Sequence, residues 1–311
     1  MKTKIWLALM SLYIVWGSTY LAIRFTVETI PPFLSAGMRF LVSGVILFIW
    51  RHAAGDAMPT KRQWRSTAIV GILLLLGGNG LLSFAEQYVT SSVSALIIGS
   101  MPMWLVMIEA LRPGGVKPNW LAILGLLTGF GGIFLLVGPS KLTGDSHILN
   151  PLGVGALLMA AFLWSVGSIY SRNVDMPKSS LMSTGAQMLT GSVAIFAVSG
   201  ITGEWSGFSF ANVATNSWLG LIYLITIGSL IGFVSFGWLL QNAPVSLVAT
   251  YAYVNPLVAV FLGAWLADEV INARILIAGL VIIGSVVLIN QAKSGKVKSV
   301  KQEVVQPAIA K

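Results

Sequence analysis

The sequence predicts an all-α polytopic membrane protein: ten transmembrane helices arranged as two inverted five-helix repeats. Three observations carry that prediction. Of the 311 residues, 56% are hydrophobic and 9% charged, with a mean hydropathy of +0.85; soluble domains carry about 25% charge. Ten apolar runs approach the roughly 20 residues that a helix needs to cross hydrocarbon. The two halves of the chain also match each other at shared offsets.

Each run has its own punctuation. Ile5–Phe25 continues to spanning length and lacks a clear cleavage site, which disfavours a signal peptide over Met1–Tyr20. Phe33–Trp50 follows Pro31-Pro32, and Thr67–Ala85 follows a basic loop. Val93–Leu111 stops at Pro113-Gly114-Gly115, and Trp120–Val137 at Gly138-Pro139. Leu152–Ser171 opens after Asn150-Pro151, and Leu181–Ile201 after Asp175-Met176-Pro177. Trp218–Leu240, Val245–Ala267 and Ala273–Gln291 complete the set. Residues 1–140 form the first repeat (helices 1–5), 150–292 the second (helices 6–10), and 293–311 a basic tail.

Charge sets the orientation. Lys2, Lys4, Arg51, Lys61, Arg62, Arg65, Arg112, Lys117, Arg172, Lys178 and the tail lysines fall on one side. Only Arg24, Lys141 and Arg274 fall on the other, and Arg39 lies inside the second run. Positive loops stay inside, so both termini are expected in the cytoplasm. The net charge of +9 is thus topology, and no nucleic-acid partner is expected.

The repeat is legible in single residues. Trp16, Arg24, Gly37 and Arg39 match Trp164, Arg172, Gly185 and Gln187 at an offset of 148. Gln87, Pro102 and Gly125 match Gln241, Pro256 and Gly279 at 154. Five spans per half is an odd number, so the second half enters the membrane upside down, a plan of secondary transporters.

Trp16-Gly17-Ser18-Thr19-Tyr20-Leu21-Ala22-Ile23-Arg24, Met38-Arg39-Phe40 and Tyr251-Ala252-Tyr253-Val254-Asn255-Pro256 resemble the first-, second- and ninth-helix motifs of the EamA family in the drug/metabolite transporter superfamily. The likeness runs from Ile5 to Gln291. It implies a bacterial inner-membrane transporter whose helices 1, 3, 4, 6, 8 and 9 line a central cavity. It further implies export of amino acids and other metabolites.

Polar and aromatic residues deep in the spans are the candidate site. Pro102 and Pro256 are expected to break helices 4 and 9 near mid-membrane, because proline donates no N–H and clashes with the preceding turn. Tyr251, Tyr253 and Asn255 beside Pro256 point to a cavity wall; a hydrogen bond to a neighbouring helix is the other reading of Tyr251 and Asn255, and Asn79 is similar. Trp16 and Trp164 lie deep for tryptophan, so they either wall the cavity or pack between repeats. Tyr20, in the first-helix motif, and Trp104, two residues after Pro102, complete the expected lining. Glu86 is either a protonatable gate or coupling group, or a helix-end carboxylate that is paired with Arg39 or wetted at the interface. Glu109 and Arg112 read as a surface pair. The Gly125/Gly129 and Gly228/Gly232 pairs read as close helix packing.

Enzyme chemistry finds no motif. There are no cysteines, and the only histidines are His52 and His147, in loops on opposite sides. Gly295-Lys296 lacks the rest of a phosphate loop. No cofactor or metal is expected, and the partners are a small-molecule substrate and the bilayer, with the chain a monomer. The expected function is alternating-access transport of small neutral or zwitterionic metabolites. A non-transporting scaffold or a pore is the alternative.

Overall fold

The computed structural model describes residues 2–115, 117–137, 149–248 and 250–305. Ten spans run in order: α1 (Thr3–Thr26), α2 (Pro32–Ala53), α3 (Lys61–Ala85), α4 (Ser91–Leu111), α5 (Trp120–Val137), α6 (Pro151–Ser171), α7 (Ser180–Ile201), α8 (Thr215–Leu240), α9 (Tyr251–Leu266) and α10 (Ala273–Val305). No strand occurs among the described residues. All but α9 are long and apolar enough to cross a membrane, α10 by its segment Ala273–Ala292. The helix of α10 continues past that segment into the basic stretch expected as a tail. The turn Gly138-Pro139, with Lys141 and His147, lies outside the described residues.

Local chemistry explains the starts. Thr60 caps α3 in a reciprocal box with Gln63, Thr90 caps α4, and Asn150 caps α6 ahead of Pro151 at its first position. The two expected proline breaks come out differently. α4 is interrupted at Gly99-Ser100, between helices Ser91–Ile98 and Met101–Leu111. Pro102 sits in the first turn of the second piece, where a missing N–H costs nothing. Pro256 breaks nothing: it lies inside helix Tyr251–Leu266. The interruption before α9 comes earlier, between the single turn Val245–Val248 and Tyr251. There the Thr250 hydroxyl donates to the Leu247 carbonyl at 2.6 Å and bonds the Tyr13 hydroxyl of α1.

α3 and α8 each widen into a π-helical stretch, Ile72–Gly80 and Leu224–Ile231. Such widenings frequently mark functional sites. Packing is mostly between halves. α2 lies along α7, α5 along α10, α1 against α8 and α9, and α6 against α3 and α4. Outward-facing Leu111, Ile201, Phe261 and Leu280 are exposed, as a lipid-facing surface requires.

Two carboxylates tie helix starts across the seam, and neither figured in the sequence analysis. Glu204, after α7, accepts from the N–H groups of Phe33 (3.1 Å) and Leu34 (2.7 Å) in the first turn of α2. Glu269, between α9 and α10, accepts from the N–H groups of Ser91 (2.8 Å) and Ser92 (3.0 Å), and from both serine hydroxyls. Four orphan N–H groups begin every helix, and an anion there satisfies donors and dipole together.

Candidate functional site

A cavity of about 90 Å³ lies where the halves meet. Trp16, Thr19 and Tyr20 of α1, Arg39 of α2, Gly78, Asn79 and Leu82 of α3, and Ile98 and Met101 of α4 form one wall. Ala160 and Trp164 of α6, Phe233 of α8, and Tyr251 and Asn255 of α9 form the other. The helices that the family resemblance implied all contribute, and α2 adds Arg39.

The two tryptophans occupy crossed positions. The Trp16 ring lies over Gly232 of α8, where a Cβ would collide with it; the Trp164 ring lies over Gly78 of α3, at 2.5 Å from where a Cβ would stand. Gly78 and Gly232 are 154 residues apart, the offset already seen in the prolines. Trp16 is held edge-on by Tyr251, at 5.2 Å between ring centroids, and by Phe233 at 5.4 Å. These tryptophans therefore both wall the cavity and pack between halves.

The polar lining is sparse. Arg39 is 5% exposed. Its Nε donates to Ser229 Oγ at 2.9 Å, and its guanidinium stands 4.8 Å from the Phe40 ring centroid. It forms no ion pair with Glu86 or any other carboxylate among the described residues, contrary to the paired reading. Asn255 is 6% exposed, and its side-chain oxygen has no hydrogen-bond partner among the described residues. Asn79 reaches only the Leu74 carbonyl, at 3.5 Å. A buried polar atom without a partner is costly, so these groups are available to water or a solute.

Several expected lining residues lie elsewhere. Trp104 packs edge-on against Phe130 and Phe162, both at 5.4 Å, outside the cavity. Tyr253 points toward α10 and accepts from Asn290 at 3.4 Å. Tyr251 and Asn255 are four apart and share a face, whereas Tyr253 between them lies round the helix. Pro102 and Pro256 do not line the cavity, although the Pro256 ring lies 3.3 Å from where a Cβ of Gly99 would stand. Glu86 stands one turn beyond the cavity on α3. Leu82, Ile98, Met101, Ala160 and Phe233 were not singled out, because apolar residues on a buried face carry no distinguishing signal in sequence; Thr19 stood in the first-helix motif but was not assigned to the lining.

Each end of the cavity faces a vestibule. The distal one, at the ends of α1, α3 and α9, is about 570 Å³ and includes Arg24, Gln87, Glu269 and Arg274. The terminal one, at the ends of α4 and α6, is about 410 Å³ and includes Glu109, Arg112, Lys117 and Arg172. Glu109 and Arg112 form the expected pair at 3.5 Å. No group of three metal-ligating side chains occurs among the described residues.

Known proteins resemble this chain along nearly its whole length. The model of the EamA-like transporter family matches residues 3–138 and again 151–291. The uncharacterized inner membrane transporter YedA of Escherichia coli K12 is 34% identical over 92% of this chain and 90% of its own. The uncharacterized transporter YoaV of Bacillus subtilis is 24% identical over 90% and 94%. A solved crystal structure superposes with a TM-score of 0.62 at 20% identity, covering 91% of this chain and 96% of its own; at that identity the likeness speaks for fold alone.

Proposed function

We infer the function from one premise: the chain belongs to the EamA-like transporter family. It acts as a secondary transporter of the bacterial inner membrane, with both termini in the cytoplasm, and exports small neutral or zwitterionic, amino-acid-like metabolites. The two halves, inserted in opposite senses, rock about the shared cavity and expose it to each side in turn. A monomer suffices, because one chain supplies every wall of the cavity.

The observation that carries this reading is the make-up of the cavity. Two tryptophans and Tyr251 offer an apolar surface, while buried Arg39 and the unpartnered Asn255 oxygen offer one cationic and one accepting group. A zwitterion satisfies both, with its carboxylate on Arg39 and its ammonium donating to Asn255. An apolar side chain then meets the rings. A polyanion finds a single cation here and fits poorly.

The test is a comparison of metabolites in medium from deletion and overexpression strains, followed by counterflow of the identified solute in liposomes. Accumulation of an amino-acid-like solute outside overexpressing cells, with saturable counterflow, is expected. Linear flux without counterflow would make the chain a pore, and no flux at all would make it a scaffold. Reporter fusions at Lys311 and in the Lys141 loop are expected on opposite sides of the membrane.

A further inference from the structure

Glu86 is the buried ionisable group that the cavity chemistry leaves unused. It is fully enclosed, and neither carboxyl oxygen has a hydrogen-bond partner among the described residues. Arg24, the nearby cation, donates instead to the main-chain carbonyl of Glu86, at 2.7 Å. The groups that face the carboxyl are Tyr20 and Arg24 of α1, Ser94 of α4 and Glu269 from the α9–α10 connection. The Ser94 hydroxyl is likewise buried without a partner at bonding distance. Glu269 is already engaged by Ser91 and Ser92.

Position makes this a layer rather than a stray residue. Tyr20, Leu82 and Ile98 line the cavity on α1, α3 and α4. Arg24, Glu86 and Ser94 each lie four residues from one of them, one turn farther toward the distal vestibule. Arg24, Gln87 and Val93 line that vestibule. The Glu86 carboxyl thus sits in the partition between cavity and distal mouth, where an isolated charge is expensive and a neutral acid is not.

We propose that Glu86 is a proton-binding site that links the closing of the distal mouth to proton uptake from the distal compartment, an inference that rests on the alternating-access reading. With its proton on, the carboxyl fits the dry seam between α1, α3 and α4 and donates to Ser94 Oγ. When the start of α4 swings away, vestibule water enters, the proton leaves to that water, and the carboxylate is left facing Arg24. Closing takes one proton back from the same water. High pH therefore favours the open mouth and low pH the closed one.

The test uses the full chain in lipid nanodiscs, with nitroxide labels on Tyr88→Cys and Val270→Cys, two vestibule residues on opposite connections. The cysteine-free sequence permits clean labelling. Distances between the labels are recorded in frozen samples across a pH series. The open-to-closed ratio is expected to rise with pH by up to about tenfold per unit, the limit for one linked proton. In Glu86→Gln it should stay at its acid value throughout. In Ser94→Ala the transition should move to lower pH, since the protonated form loses its acceptor. Two populations whose ratio ignores pH, or a Glu86→Gln variant that follows the parent curve, would overturn the proton site and leave the carrier reading standing. A single distance at every pH would overturn both. If Glu86→Gln does not fold, an unshifted transition in Ser94→Ala and Glu86→Asp sinks the proposal.

Discussion

At the distal end of the cavity, Tyr20, Leu82 and Ile98 give way one turn outward to Arg24, Glu86 and Ser94. The offsets that relate the halves put Ser168, Phe236 and Ala252 at the terminal end, followed by Arg172, Leu240 and Val248. An arginine is kept at both ends, while a carboxyl and a hydroxyl at one become two aliphatic side chains at the other. The ties between helices differ in the same way. Glu204, which holds the start of α2, has a counterpart in Asp56, which is hydrogen-bonded by Arg51 at 2.8 Å and faces Ser179, the cap of α7. Glu269, which holds the start of α4, has only Gly115 at its matching position. Similar halves therefore carry unequal ends: a carboxylate ties the start of α4 at the distal end, while Gly115, Leu240 and Val248 stand at the terminal positions that match Glu269, Glu86 and Ser94.

The largest effect is expected where both mouths converge. Arg39→Met keeps the volume and removes the cavity's cation. Bonds to charged groups contribute about 1.5–3 kcal/mol, so counterflow should fall about 10- to 100-fold, with little loss of folded protein. Undiminished counterflow would mean that the mouths do not serve a site at Arg39.

Next comes the distal tie. Glu269→Gln leaves one oxygen to accept and removes the charge, so the vestibule labels should shift toward the long distance by about tenfold in ratio. The terminal mouth should not respond. A matching change there would show that the ends are not separately latched.

A smaller effect tests the symmetry itself. Gly78→Ala and Gly232→Ala each push a methyl into a tryptophan ring, overpacking that costs about 1–3 kcal/mol. Thermal unfolding should report similar losses for the two. A large difference would break the equivalence of Trp16 and Trp164.

The smallest effect concerns Asp56. Its hydrogen bond from Arg51 holds the carboxyl below the usual carboxylate range. That contribution is present at neutral pH and is lost as pH falls through the lowered value. Asp56→Asn should therefore lower the unfolding temperature slightly at pH 7 and match the parent in strong acid. A deficit that persists in acid would assign the tie to packing instead.

Much of this was legible in the sequence. Hydrocarbon cannot satisfy backbone N–H and C=O groups, so composition and run length alone dictated ten helices. Helical periodicity put Tyr251 and Asn255 on one face. Shared offsets paired Trp16 with Trp164 before any contact between halves was known. These are local or periodic properties, and a linear chain records them directly.

Tertiary structure decided the rest. Sequence position places Tyr253 and Trp104 in the cavity wall, but only their neighbours, Asn290 for one and Phe130 with Phe162 for the other, settle which way they face. Pro256 was expected to break its helix; the chain instead turns earlier, where Thr250 meets Tyr13 across 237 residues of sequence. Glu269 looked like an ordinary loop carboxylate until the fold carried it to Ser91, 178 residues away. Glu86 could pair with Arg39 on paper, yet Arg39 turns to Ser229 and leaves the carboxyl enclosed. Hydrogen bonding and desolvation depend on which atoms lie within about 3 Å, and for groups this far apart in sequence only packing brings them there.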